Sequence, residues 1–190
     1  MMDPRINAVR EALDRHTAVH LPREADTREA AVALVLRAAA TLDLLLIRRV
    51  ERAGDPWSGH MALPGGRRSA GDADLVAAAF RETYEEVGVP LRPNDLLGAL
   101  DEVSPLRLPP VVIAPFVVAV DPAVELRLDT REVAAAVWIP VDALRDSSAA
   151  AEILIELEGD ARTFPALRYL DYEIWGLTHG ILTQFLALLS

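Results

Sequence analysis

The segment that most constrains this chain runs from residue 66 to residue 89 and reads GRRSAGDADLVAAAFRETYEEVGV. A glycine pair, Gly65 and Gly66, opens a loop that leads into an Ala-rich stretch. The stretch ends in three carboxylates spaced i, i+3 and i+4, namely Glu82, Glu85 and Glu86. On a helix this spacing places all three on one face, where like charges repel. Because a hard divalent cation with oxygen ligands would neutralise them, the pattern predicts a metal-binding helix.

Signals for the start and the end of this helix lie in the same segment. Asp72 or Asp74 can cap its N-terminus, and residues 75–79 are mostly good helix formers. Gly88 stands where a C-terminal cap glycine belongs. We expect the apolar side chains of the helix to face a core and the carboxylates to lie on a different face. A solvated surface helix is the competing interpretation, which the flanking glycines disfavour.

The segment resembles the Nudix box, G-x5-E-x7-R-E-U-x-E-E-x-G-U, in which U is an aliphatic residue. The matching residues are Gly66, Arg81, Glu82, Glu85, Glu86, Gly88 and Val89. The chain departs from the pattern at Asp72, which replaces a glutamate, and at Thr83, which replaces an aliphatic residue. One extra residue also separates Asp72 from Arg81, and Nudix relatives that cleave coenzyme A have a similar spacing and an aspartate there. Asp72 or Asp74 could take the role of the first box glutamate.

Two further segments are similar to the coenzyme A diphosphatase subgroup. One is the sequence WSGHMALPGG at 57–66, in which His60 replaces an expected glutamine and Trp57 replaces an expected histidine. The other is IWGLT at 174–178. The resemblance covers about residues 30–188 and implies the Nudix fold, an α/β architecture with a mixed β-sheet sandwiched between α-helices. The rule that domains are built from packed layers gives the same fold class.

The resemblance also implies a reaction, the metal-dependent hydrolysis of a phosphoanhydride in a substrate linked through a nucleoside diphosphate. Mg²⁺ or Mn²⁺ suits ligands that are all carboxylates. Glu82 and Glu86 would be the principal ligands, and Glu85 would be a third ligand or support them. The Gly66 backbone can approach a metal or phosphate closely, and Arg81 would orient the carboxylates.

Coenzyme A or an acyl derivative is the substrate that the subgroup resemblance favours, with 3′,5′-ADP and a phosphopantetheine as products. Another nucleoside diphosphate derivative, such as ADP-ribose, a dinucleotide or a nucleotide sugar, is the alternative. A non-catalytic nucleotide-binding module is disfavoured because all three box carboxylates are retained.

The general base is open at this stage. Glu132 is the first choice, because it falls in a loop just before the short apolar strand expected at 137–139. Glu102 and Asp129 are the other candidates outside the box, and Glu82 is the rival within it.

Arginine supplies all 19 basic residues of the chain, so any phosphate clamp is an arginine clamp that can bind two oxygens at once. We expect Arg48, His60 and Arg67 to bind substrate. Arg49 and Arg68 also bracket the expected site. A separate pair, Trp175 and Tyr172, is interpreted as helix packing.

Composition narrows the class of partner and the compartment. The net charge of −10 disfavours nucleic-acid binding, and the lack of cysteine suits the cytoplasm. No apolar run is long enough to span a bilayer. We expect one domain over 1–190, with 1–25 as an N-terminal helical extension, acting in the cytoplasm on a small nucleotide, without a membrane partner. A homodimer through a terminal helix is open.

Periodicity and turn residues predict the remaining elements. Helices are expected at 4–19, 141–144 and 171–189. Strands are expected at 30–36, 42–47, 96–103, 111–120, 137–139 and 153–157.

Overall fold

The central strand of the protein, β1 (Arg28–Ala38), is apolar on both of its faces. All of residues 30–36 except Val32 are buried, which is typical of a strand covered on both sides. The computed structural model describes residues 3–52, 58–105, 110–157 and 160–190. Trp57, one of the residues of the predicted lead-in segment, lies outside these ranges.

The elements follow the chain in an α/β order. The further strands are β2 (Leu42–Arg49), β3 (Met61–Ala62), β4 (Gly65–Arg67), β5 (Leu96–Ala99), β6 (Val111–Val120), β7 (Val133–Pro140), β8 (Ala150–Leu157), β9 (Asp160–Tyr169) and β10 (Tyr172–Trp175). The helices are α1 (Pro4–Asp14), α2 (Leu75–Val87), α3 (Val141–Arg145) and α4 (Gly176–Leu188).

Strand β1 organises the larger sheet. It runs parallel to β6, which pairs with β5 on its other side. Strand β2 pairs with β1 at residues 36–38, whereas the short strand β4 pairs with β1 at residues 30–32. Strand β2 also pairs antiparallel with β3 and with β7. The partner of β1 on this edge therefore changes between residues 32 and 36, from β4 to β2.

Helices cover both faces of this sheet. Successive side chains of β1 point to opposite faces, so both faces carry apolar side chains that need to be buried. Leu34 and Leu36 share a core with side chains of α1 and α4. Ala31 packs on the other face against Ala78 and Ala79 of α2. The strands β8, β9 and β10 form a separate antiparallel sheet. The predicted α/β fold class, with a mixed sheet between helices, is confirmed.

The N-terminal helix is shorter than the predicted 4–19. Helix α1 ends at Asp14, and the chain then follows the loop after β5. His16 contacts Asp101 at 3.0 Å, and the Val19 N–H donates to the same carboxylate at 2.9 Å. Val19 is 56% exposed, so it does not continue the apolar face of the helix.

The C-terminal helix also begins later than the predicted residue 171. The segment Tyr172–Trp175 is strand β10, which pairs back onto β9 after a turn in which Leu170 has a φ of 52°. The strand predicted at 96–103 ends at Ala99, whereas the strand predicted at 137–139 extends over Val133–Pro140. None of the described helices has the length and apolar character needed to cross a membrane.

Candidate functional site

Helix α2 has the ends that the sequence predicted. The Asp74 carboxylate accepts a hydrogen bond from the Ala77 N–H at 2.7 Å and caps the N-terminus. Gly88 ends the helix in the left-handed region with a φ of 72°, and its N–H donates to the Tyr84 carbonyl at 2.9 Å. These caps fix where the box carboxylates point.

Glu86 is the most deeply placed of the three box carboxylates. Its residue is 3% exposed, and Oε2 accepts a hydrogen bond from the Gly65 N–H at 2.9 Å. The prediction that the carboxylates lie away from the core is therefore wrong for Glu86. The helix packs so closely against β4 that the carboxylate lies beneath the strand.

Glu82 contacts the next residue of the same strand. A Cβ atom at Gly66 would lie 2.5 Å from the Glu82 side-chain Cδ, which is closer than nonbonded atoms approach. Gly66 is required here by this close contact with the carboxylate, which supplies a physical reason for the glycine that opens the box.

Arg81 holds the outer part of the carboxylate cluster. Its guanidinium contacts Asp72 through two hydrogen bonds of 2.9 Å. It also donates to Glu82 at 2.9 Å and to Glu85 at 3.0 Å, and to the Arg67 carbonyl at 3.1 Å. Of the two aspartates that could replace the first box glutamate, Asp72 is thus the one in contact with Arg81.

The position of Asp72 determines its charge. The Arg81 guanidinium holds the pKa of Asp72 at about 2, and the Ser69 N–H donates to the same carboxylate at 2.7 Å. Asp72 is therefore an anion at neutral pH. Glu85, by contrast, is exposed, with 56% of its side chain accessible.

Burial has the opposite effect on the inner carboxylates. It raises the pKa of Glu86 to about 8, with the Gly65 N–H and the Arg49 charge opposing the increase and the charges of Glu82 and Glu132 adding to it. The positive charge near Glu82 and Glu86 is too small to balance two carboxylates. The position under β4 therefore favours a cation.

Glu82 shows the same balance in a milder form. Burial raises its pKa, the hydrogen bond and the charge of Arg81 lower it, and the charges of Glu85 and Glu132 raise it again. The effect of Glu132 on both inner carboxylates places it within electrostatic reach of them.

The loop that carries Glu132 is docked on the end of α2. The Arg127 N–H donates to the Val87 carbonyl at 2.8 Å, and the Asp129 N–H donates to the Glu86 carbonyl at 2.9 Å. Glu132 itself is exposed. Among the alternative bases, Asp129 is paired with Arg131 at 2.7 Å, and this pairing lowers its pKa to about 2.

Glu102, another alternative base, belongs to a different cluster. It is buried, and Arg23 donates to it through both terminal nitrogens, one of them at 2.7 Å to Oε1. The Leu21 N–H donates to Oε2 at 2.7 Å. The pKa of Glu102 is lowered to about 2, mainly by Arg23. These contacts occupy the carboxylate, which disfavours a role as base.

The donor set beneath β4 suits a hard divalent cation. Within the described ranges, no three acidic or histidine side chains are arranged as a complete metal site. Mg²⁺ is commonly held by one or two carboxylates, with water and substrate phosphates completing the shell. Glu82, which is half-buried, and Glu86, which is buried, lie beside the open backbone of Gly66 and fit that mode.

A pocket of about 150 Å³ lies between the lead-in segment and the start of α4. Arg49, His60, Trp175 and Thr178 are its polar or aromatic lining residues, and the others are mostly apolar. The His60 and Trp175 rings meet edge to face, with centroids 4.8 Å apart. Trp175 thus contacts the lead-in histidine and is not only a helix-packing residue. Arg49 connects this pocket with the box, because its charge acts on Glu86.

The other two residues predicted to bind substrate lie elsewhere. Arg67 lines a separate groove with Arg28, Arg68 and Asp72. Arg48 is exposed on β2 opposite Met61 and lines neither the pocket nor the groove. The structure therefore brings Arg67 next to the box and His60 next to Trp175, but it does not gather all three in one cavity.

Comparison with known proteins defines the class. The NUDIX domain model matches residues 26–157, more than half of the chain. A protein from Enterobacter sp. strain 638, named uncharacterized Nudix hydrolase NudL, is 30% identical over 157 residues, which cover 83% of this chain and 80% of that protein. An uncharacterized protein from Schizosaccharomyces pombe is 43% identical over 104 residues, which cover 52% of this chain but only 32% of that protein.

Solved structures agree on the fold. A NUDIX hydrolase from Alicyclobacillus acidocaldarius aligns with a TM-score of 0.56 at 20% identity, over 87% of this chain and 93% of that chain. A MutT/nudix family protein from Enterococcus faecalis aligns with a TM-score of 0.54 at 21% identity, over 92% and 64%. The chain belongs to the Nudix family. It is a Nudix pyrophosphohydrolase, and enzymes of this family generally need divalent metal ions.

Proposed function

We propose that this enzyme hydrolyses the phosphoanhydride of coenzyme A or acyl-coenzyme A and releases 3′,5′-ADP and a phosphopantetheine. The observation that carries the proposal is the meeting of His60 and Trp175 in one pocket beside the box. These residues belong to the two segments outside the box that resemble the coenzyme A diphosphatase subgroup, and they are in ring contact.

The shape and lining of that pocket are compatible with one end of such a substrate. Ligand pockets usually measure about 300–1,000 Å³, so a pocket of about 150 Å³ takes only part of a molecule. Its lining is mainly apolar, with polar groups at His60, Arg49 and Thr178. A narrow chain that alternates methylene and amide groups, such as a pantetheine arm, matches this mixture.

The box residues receive the following roles. Glu82 and Glu86, next to the Gly66 backbone, would hold Mg²⁺ or Mn²⁺, and Glu85 would be a further ligand or support them. When bound, such a metal neutralises phosphate oxygens and lowers the pKa of a coordinated water. Arg81 would orient the carboxylates, as its contacts with Glu82 and Glu85 allow.

Glu132 is the group that we propose as general base. It is exposed, so water can reach its carboxylate, and its charge acts on both inner box carboxylates. A base there would take a proton from the attacking water as the bond from the water oxygen to phosphorus forms, while the bridging P–O bond of the anhydride breaks and the other phosphate departs. Glu82 is the rival, but its contact with Arg81 makes it less available.

Arginines near the box would bind the phosphate oxygens of the substrate. Arg67 lies directly after Gly66, and Arg48 lies on β2 near the lead-in strand. A guanidinium can bind two phosphate oxygens at once.

We further propose that the enzyme acts on a small nucleotide in the cytoplasm.

Product analysis tests the substrate. Purified enzyme with Mg²⁺ or Mn²⁺ is incubated with coenzyme A, ADP-ribose, NADH and a nucleoside triphosphate, and products are separated by chromatography. We expect 3′,5′-ADP from coenzyme A and little cleavage of the others. Hydrolysis of ADP-ribose with coenzyme A left intact would overturn the substrate assignment and keep the reaction class.

A further inference from the structure

A second cavity, separate from the His60 pocket, opens beside the box. This arginine groove has a volume of about 520 Å³, and its charged or polar lining residues include Arg28, Glu29, Arg67, Arg68, Ser69 and Asp72. It joins the box directly, because Arg81 contacts both the Asp72 carboxylate and the Arg67 carbonyl.

The two carboxylates of the arginine groove are already engaged. Glu29 pairs with Arg68 at 2.9 Å and with Arg23 at 3.2 Å, and these hydrogen bonds help to lower the pKa of Glu29. Asp72 is held by Arg81 at 2.9 Å. Neither acid therefore neutralises the two remaining arginines of the groove.

Those two arginines, Arg28 and Arg67, have their charges available. In the part of the chain that the structure describes, neither guanidinium has an ion-pair or hydrogen-bond partner. Both residues are exposed. Such a pair is notable in a protein with a net charge of −10, because its acidic groups outnumber its basic groups. Two open guanidinium forks suit an anion with several oxygens.

The arginine groove and the His60 pocket contact different parts of the same strand pair. Gly65 and Gly66 pair with Val32 and Ala31 of β1. Val32 lines the pocket, whereas the groove begins at Glu29. Three residues of extended chain span about 10 Å, and Ala31, the partner of Gly66, lies between the two residues of β1 that line the cavities.

We propose that the arginine groove binds a phosphate monoester at the nucleotide end of the substrate, through Arg28 and Arg67. The assignment rests on the proposed function, in which this group is the ribose 3′-phosphate of coenzyme A. The substrate then lies with its diphosphate at the box, its phosphorylated ribose in the groove and its thiol arm in the pocket. A phosphate monoester carries close to two negative charges at pH 7, which two arginines balance.

Paired ligands that differ only in the ribose phosphate test the assignment. Calorimetry measures the binding of 3′,5′-ADP and of 5′-AMP to the full-length enzyme with Mg²⁺. Steady-state kinetics compare coenzyme A with 3′-dephospho-coenzyme A. Both measurements use the wild type, Arg28→Gln and Arg145→Gln. Arg145→Gln is the matched control, because it also removes one exposed arginine charge. Arg145 ends α3, which follows Pro140 at the end of the sheet where Pro140 pairs with Asp43.

The wild type should bind 3′,5′-ADP roughly 100-fold more tightly than 5′-AMP, the size of two charge-assisted contacts at an exposed site. Arg28→Gln, which leaves Arg67 in place, should reduce that preference to about ten-fold and raise KM for coenzyme A about ten-fold. It should leave kcat and the dephosphorylated substrate unchanged, and Arg145→Gln should behave as wild type. Equal losses with both substrates, or an undiminished preference in Arg28→Gln, would overturn the assignment.

Failure of the substrate assignment gives a different pattern. If the wild type leaves coenzyme A intact yet prefers 3′,5′-ADP through Arg28, the proposed function is wrong and the phosphate site stands. If it hydrolyses coenzyme A and its dephosphorylated form equally well, with no effect of Arg28→Gln, the function stands and the phosphate site is wrong.

Discussion

Glu86 and Glu102 are buried to nearly the same extent, at 3% and 7% exposed, yet their pKa values are shifted in opposite directions. Arg23, the Leu21 N–H and His20 all bind Glu102 and lower its pKa to about 2. Burial raises the pKa of Glu86 to about 8, and Glu82 adds to the increase. Glu102 is ion-paired with an arginine, whereas the nearby charge of Arg49 offsets only part of the effect of burial on Glu86.

The difference separates a structural ion pair from a candidate functional site. A buried carboxylate without a cation is costly unless it is protonated or meets a metal. At Glu102 the cation comes from the segment after α1, so the pair holds that segment to the loop after β5. At Glu86 the charge of Arg49 only partly compensates, and we propose that a divalent metal supplies the remaining positive charge.

The largest expected effect is the loss of activity in Glu86→Gln. The amide keeps an acceptor for the Gly65 N–H but removes the charge that a divalent cation needs, so kcat should fall by about 10³-fold, equivalent to about 4 kcal/mol. Initial rates with saturating Mg²⁺ measure it. Circular dichroism should show an unchanged fold. Glu102→Gln is the control and should keep wild-type kcat, and an active Glu86→Gln enzyme would contradict the metal assignment.

The next effect is a pH dependence of stability in the metal-free protein. The pKa of Glu86 is about 8 when folded and about 4.5 when unfolded, so the folded protein holds the proton more tightly. This contribution to stability is complete below pH 4.5 and is lost as pH rises to 8. At about 1.4 kcal/mol per pKa unit, the loss between pH 5.5 and pH 8.5 is on the order of 3 kcal/mol.

Urea unfolding with a chelator present at pH 5.5 and 8.5 measures this loss. Glu86→Gln should remove it, while the effect of burial on the pKa of His179 is common to both proteins and cancels in the difference. Added divalent metal should stabilise the wild type more at pH 8.5 than at pH 5.5, because its binding displaces the proton. Parallel pH profiles for wild type and variant would refute the assigned pKa shift.

The sequence predicted well the elements whose signals are local. The strands at 30–36, 42–47 and 111–120 were found within a few residues of their observed ends, because apolar runs and turn residues mark them. The box helix was bounded correctly, since Asp74 and Gly88 act on the adjacent backbone alone. Its carboxylate spacing predicts a metal site, which stays a prediction.

Features that depend on distant partners were not predictable in this way. The segment 171–175 was predicted as the start of the C-terminal helix, but pairing with β9 makes Tyr172–Trp175 a strand. The contact between His60 and Trp175 joins the lead-in segment to the start of α4, and no periodic pattern relates them. Glu86 looked exposed because helical spacing cannot reveal that β4 covers it. Arg49 was noted as a neighbour of the site, but its effect on Glu86 emerges only from the packing.

The smallest expected effect is a loss of stability in Glu102→Gln, which compares the buried ion pair of Glu102 with an ordinary surface ion pair. Glu102→Gln leaves Arg23 with a weaker partner and should lower the free energy of unfolding by about 2 kcal/mol, within the range for hydrogen bonds to charged groups. Glu173→Gln, which breaks an exposed pair with Arg168, is the matched control and should cost at most about 0.5 kcal/mol. Urea unfolding at pH 7 compares them. Equal losses would mean that the Arg23 pair contributes no more than a surface contact, and the contrast between Glu102 and Glu86 would then rest on Glu86 alone.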